Sequence, residues 1–168
     1  CLQHNLHGYE NIHSFNFALD VNDGEKKLYI DKNNKGNLSF NYEMMTLKND
    51  KLNFMNSADN YDVVKCKSVN NFFNEVNNEK NFIIKIDVQG YDEIIFQEIP
   101  DNILKNTKMM FIEITPLKSK NFDVEKLKSK LQIFSEINNF SGETFTYENV
   151  IDHCNSNNEA VDFILINK

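Results

Sequence analysis

The chain has 168 residues, enough for one domain and short for two. Apolar residues make up 40%, with 14 Phe and 6 Tyr, which excludes a disordered chain. The net charge is −7, every basic residue is Lys, and no apolar run nears the roughly 20 residues that span a bilayer, so the composition argues against nucleic-acid binding and a transmembrane segment.

The opening residues, CLQHNLHGYENI, carry no initiator Met, no secretory signal and no cap signal, so the chain reads as starting within a domain. Residues 11–19 (NIHSFNFAL) set His13, Phe15, Phe17 and Leu19 against Ile12, Ser14, Asn16 and Ala18, a strand pattern. Residues 20–24 (DVNDG) form a turn, and residues 25–31 (EKKLYID) a second strand that could close a hairpin. Residues 33–45 fit no element, and 48–60 read as a loop. Residues 61–67 (YDVVKCK) predict a strand, and 68–76 (SVNNFFNEV) a helix capped by Ser68.

The near-continuous apolar run at 81–88 (NFIIKIDV) predicts a buried strand of a parallel sheet. Gly90 breaks it, and 91–99 follow as a helix with Tyr91, Ile94, Ile95 and Ile99 on one face, ended by Pro100. Residues 108–115 (KMMFIEIT) predict another buried strand, closed by Pro116. Asp123 caps a helix that turns Val124, Leu127, Leu131 and Phe134 inward and Lys126, Lys128 and Lys130 outward. Residues 144–151 and 160–166 predict two strands joined as an antiparallel hairpin by a short polar turn. From residue 61 onward strands and helices alternate, so a mostly parallel α/β sheet is expected, with ligands beyond the carboxyl ends of its strands.

The residues just after the strands are therefore the site candidates: Ala18, Leu19 and Asp20; Asp87, Gln89 and Gly90; Glu113 and Thr115. Asp87 reads either as a site carboxylate or as a cap for the next helix, which Asp92 and Glu93 open at its positive end. His4, His7 and His13 lie close in sequence without a carboxylate at helical spacing, so no metal site is expected. His153 and Cys154 fall in the DHCNSNN turn and read as surface residues, and the lysines between 118 and 130 as a solvated helix side. Cys1, Cys66 and Cys154 form no CxxC pair, which fits a reducing, cytoplasmic setting.

The segment IIKIDVQGYDEIIFQEI resembles the signature of FkbM-type methyltransferases: an apolar strand, then Lys-x-Asp-x-Glu-Gly-x-Glu, then an apolar helix. In the same collinear order, FALDVNDG, GNLSF, VKCKSVNNFF, MFIEITP and AVDFILINK are similar to further family segments, so the resemblance covers nearly the whole chain. It departs at Gln89, where the family has Glu, at Asp92, where it has a later Glu, and at Asn70, where Asp is usual.

The resemblance implies a class I S-adenosylmethionine fold and methyl transfer to a hydroxyl of a saccharide, glycan or polyketide-like acceptor. It implies Phe17, Ala18, Leu19, Asp87 and Gly90 as cofactor-binding positions, with Ala18 and Leu19 flanking the adenine. Asp87, Glu113 and Gln89 become the catalytic candidates: a hydroxyl must be held about 3 Å from the activated methyl, and a carboxylate takes its proton late. Asp87 could equally bind the cofactor's amino group.

The family's Gly-rich cofactor turn and acidic second strand have no counterpart, so residues 1–168 are expected to be the C-terminal two-thirds of one domain, lacking the first strands. Loss of central strands should expose apolar edges and leave the chain unstable or inactive alone. A second reading is a degenerate family member that binds a partner or glycan without catalysis, and a third is a nucleotide-sugar enzyme on a similar sheet.

Overall fold

A computed structural model describes residues 11–30, 38–40, 60–76, 81–88, 90–115, 123–157 and 159–168. Two sheets carry the fold. The first, in spatial order β1-β4-β2-β3, contains β1 (Ala18–Asp20), β2 (Gly24–Ile30), β3 (Leu38–Ser39) and β4 (Tyr61–Ser68). The second, β5-β6-β9-β7-β8, contains β5 (Phe82–Lys85), β6 (Thr107–Ile114), β7 (Glu136–Asn139), β8 (Thr144–Phe145) and β9 (Val161–Ile166). The helices are α1 (Val69–Val76), α2 (Asp92–Glu98), α3 (Asp101–Lys105), α4 (Val124–Leu131) and α5 (Val150–Asn157).

The architecture is mixed α/β, with strand directions more mixed than the expected mostly parallel sheet. Among the described residues only β1–β4 and β5–β6 pair in parallel. The other ladders are antiparallel. The reason for the first sheet is that β1 and β2 do not form a hairpin. Strand β4 lies between them, with Ala18 on one side of Cys66 and Gly24 on the other. The DVNDG turn serves β4 and α1 instead: Asp23 accepts hydrogen bonds from the Ser68 N–H (2.7 Å) and the Asn71 side chain (2.6 Å). Ser68 caps α1 as expected, its Oγ accepting from the Asn71 N–H at 3.2 Å.

Residues 11–17 lie outside any strand. Their alternation serves aromatic packing, with Phe15 and Phe17 each on Phe72 of α1 at 5.6 and 6.0 Å. The expected terminal hairpin is also corrected. Strand β9 pairs with β6 and β7, while β8 pairs only with β7 among the described residues. Residues 150–157 form α5, because the Asn149 side chain accepts from the Thr146 N–H and turns the chain into a helix. Val150, Ile151 and Cys154 then fall on one buried helical face, which strand alternation would have split.

In the second sheet, Met110, Ile112 and Ile114 of β6 with Phe163 and Leu165 of β9 bury against α2–α5. Asp123 caps α4 by accepting from the Lys126 N–H at 3.0 Å, and Leu127 and Leu131 are fully buried. The lysine side of α4 is not simply solvated: Lys126 pairs with Glu98, and Lys130 with Asp101, both at 2.5 Å. The alternate residues face outward on the sheet's other side. There Met109, Phe111 and Glu113 are half-buried, and Ile83 and Phe140 are 72% and 65% exposed. The apolar run at 81–88 is thus a four-residue strand with one exposed side rather than a buried strand.

Candidate active site

Two cavities adjoin β5. The larger, about 820 Å³, is walled by Phe17, Ala18 and Leu19 at β1, by Phe72 and Phe73 of α1, and by residues 82–88 and Tyr91. Its lining is mostly aromatic and aliphatic, as befits a flat apolar ligand. The smaller, about 470 Å³, lies over the outward side of the second sheet and is lined by Lys85, Asp87, Phe111, Glu113, Phe140 and Asp162 among others. Lys85, Ile86 and Asp87 line both.

The cofactor positions Phe17, Ala18, Leu19 and Asp87 therefore share one cavity. Gly90 stands beside it in the turn from β5 to α2, at φ +83°, a conformation that favours glycine. The catalytic candidates Asp87 and Glu113 share the smaller groove, and Gln89 lies outside the described residues. Asp87 reaches solvent and pairs with Lys85 at 2.7 Å. Asp92 accepts from the turn amide of Gly90 at 3.2 Å.

Asp92 and Glu93 do more than complement a helix dipole. Each is 1% exposed. Glu93 accepts from the Thr115 backbone N–H and hydroxyl at 2.5 and 2.6 Å, which ties α2 to the end of β6 and fixes Glu113 two residues before. Burial pushes the Glu93 carboxyl up to about 7, despite those hydrogen bonds. Burial, then the charge of Glu113, pushes Asp92 up to about 6, and its Oδ1 has no hydrogen-bond partner.

A second polar cluster escaped sequence reasoning. Asp20, at the end of β1, accepts from the Tyr91 hydroxyl at 2.6 Å and from Lys26 at 2.8 Å. Lys26 also donates to the Tyr91 oxygen at 2.8 Å and sits over the Phe40 and Tyr91 rings. Burial alone would raise the Asp20 carboxyl, but these hydrogen bonds outweigh it and hold it below its usual value. The cluster locks the first sheet to the start of α2. Its one sequence signal is Asp20 directly after a strand.

Other expected positions resolve plainly. His153 packs on Phe145 at 4.6 Å between ring centroids. Cys154 is fully buried, and burial, then the charge of Glu93, pushes its thiol up to about 12. The pair is therefore not a surface turn. Cys66 and Cys154 are free thiols. His13 is exposed, and His4 and His7 lie outside the described residues. Among the described residues, no three His, Cys, Asp or Glu side chains are placed to hold a metal ion, and no helix is long and apolar enough to cross a membrane.

The larger cavity runs along the whole of β5, from Phe82 to Lys85, and opens onto β1 and α1 of the first sheet. The family model described as the methyltransferase FkbM domain matches residues 2–153, so the chain belongs to the FkbM methyltransferase family. No curated protein and no solved structure matches it.

Proposed function

We propose that this domain transfers a methyl group from S-adenosylmethionine to a hydroxyl of a saccharide, glycan or polyketide-like acceptor. One observation carries the reading: Asp87 lies on the wall between an apolar, aromatic cavity and an acidic groove. That is the place where a bound cofactor and an acceptor would meet. The residues fit the cofactor, because the aromatic lining suits an adenine ring and the Asp87 carboxylate complements a positive charge. When bound, S-adenosylmethionine supplies a methyl group made electrophilic by its sulfonium.

Phe17, Ala18 and Leu19 would then hold the adenine and exclude water. Asp87, oriented by Lys85, positions the acceptor hydroxyl, and Glu113 takes its proton. The bonds from Thr115 to Glu93 keep the end of β6 in place for that transfer. The free thiols Cys66 and Cys154 suit a cytoplasmic setting.

The test is S-adenosylhomocysteine binding followed by thermal unfolding. Ligand at about 100 times its Kd should stabilise the protein by about 2.7 kcal/mol. Asp87→Asn, at a half-exposed site, should keep the fold and lower methyl transfer by about 10²-fold. No thermal shift at saturating S-adenosylhomocysteine would overturn the reading.

A further inference from the structure

We infer that Phe140 and Asp162 form an acceptor subsite for an uncharged pyranose ring, an inference that rests on the methyltransferase reading above. The groove residues lie in one row across the second sheet. Glu113 of β6 pairs directly with Asp162 of β9. Phe140 follows the pair Asn139–Phe163 by one residue, which sets it beside Asp162. On the other side, Lys85 pairs with Phe111, so Asp87 falls beside Glu113 two residues later. The row Asp87, Glu113, Asp162, Phe140 crosses three strand spacings, about 14 Å. All four residues line the same groove.

Phe140 stands at one end of the row. It is 65% exposed. Its ring stacks on Phe111 at 6.2 Å and 21° between planes, which makes a two-ring platform. The turn behind it is tied shut. The Asn139 side-chain oxygen accepts from the N–H groups of Ser141 (3.0 Å) and Glu143 (2.9 Å). Its amide donates to the Glu143 carboxylate at 2.6 Å. Gly142 at φ +85° lets the backbone close. The aromatic ring is thus held outward before any ligand arrives, so little ordering cost remains on binding.

The chemistry of the row selects the ligand. The apolar C–H face of a pyranose matches an exposed aromatic face, and carboxylates accept hydrogen bonds from its hydroxyls. Asp87, Glu113 and Asp162 face a single lysine, Lys85, among the described lining residues. That balance repels uronates and phosphorylated sugars and admits neutral rings. A ring seated on Phe140 and Asp162 points its far hydroxyls along the row toward Glu113 and Asp87.

Saturation-transfer NMR on the full chain tests this with methyl gluco-, galacto-, manno- and fucopyranosides, and with glucuronate as the anionic control. The same samples are melted with S-adenosylhomocysteine. At least one neutral pyranoside should receive saturation, glucuronate none, and Phe140→Ala should cut the signal by about tenfold or more. Asp162→Asn should weaken it several-fold, and the S-adenosylhomocysteine shift should be the same in all three proteins. If pyranoside binding ignores Phe140, if glucuronate binds as well as the neutral rings, or if no pyranoside binds, the subsite is wrong, whatever S-adenosylhomocysteine does. If S-adenosylhomocysteine fails while Phe140-dependent binding persists, the subsite stands as a glycan-binding surface and the methyltransferase reading falls.

Discussion

The two sides of the second sheet are built from the same strands and differ in almost everything else. On β6 and β9, Met110, Ile112, Ile114, Phe163 and Leu165 pack into the helices. Their immediate neighbours Phe111, Glu113 and Asp162 line a charged groove. Alternation at period two lets one strand serve a core and a site at once. The packed side specifies the fold, and the outward side is free to carry chemistry.

That contrast predicts very unequal costs for similar substitutions. Phe163 is fully buried, so Phe163→Ala should destabilise the protein by about 3–5 kcal/mol in urea unfolding. A much smaller loss would mean that the helices do not close over that side.

The buried carboxylates give the next effect, through pH. Glu93 binds its proton more tightly folded than unfolded, so between its ordinary value and about 7 the folded state holds the extra proton. Stability is then highest at low pH within that window, falls as pH rises through it, and levels off above. The loss attributable to Glu93 should be on the order of 3 kcal/mol. Urea midpoints at several pH values should show this slope in the wild type and a shallower one in Glu93→Gln; equal slopes would refute it.

Tyr91→Phe removes a hydrogen bond to buried Asp20 and should cost about 1.5 kcal/mol, read from the same unfolding curves. At the far end of the scale, Phe140→Ala should change stability by less than about 0.5 kcal/mol. A large loss there would make Phe140 a packing residue and erase the distinction between the two sides.

What could be read from the sequence follows the same division. The strand, turn and helix from residue 82 to 98 were legible because an apolar run, Gly90 and a helical repeat sit together in the chain. Asp123 and Ser68 were legible as caps because capping is local. Strand β7 was not, since EINN has no apolar alternation and becomes a strand only by pairing with β9 and β8. The site divides likewise. Phe17, Ala18, Leu19 and Asp87 are named through the family resemblance, and all four line one cavity. The Tyr91–Asp20 bond joins positions 71 residues apart. The row through Asp162 and Phe140 exists only once four strands lie side by side.

Strand β5 carries a consequence for the behaviour of many molecules rather than one. Among the described residues it pairs only with β6, and exposed Ile83 stands on its outward side. Bare edges of this kind recruit other strands, and proteins guard them with shortness and with lysine. Here the guards are a length of four residues and the charge of Lys85. Lys85, which pairs with Asp87, is therefore also a gatekeeper against self-association. Neutralising it would be felt first as a lower concentration at which the protein stays monodisperse, and only then as a change in chemistry.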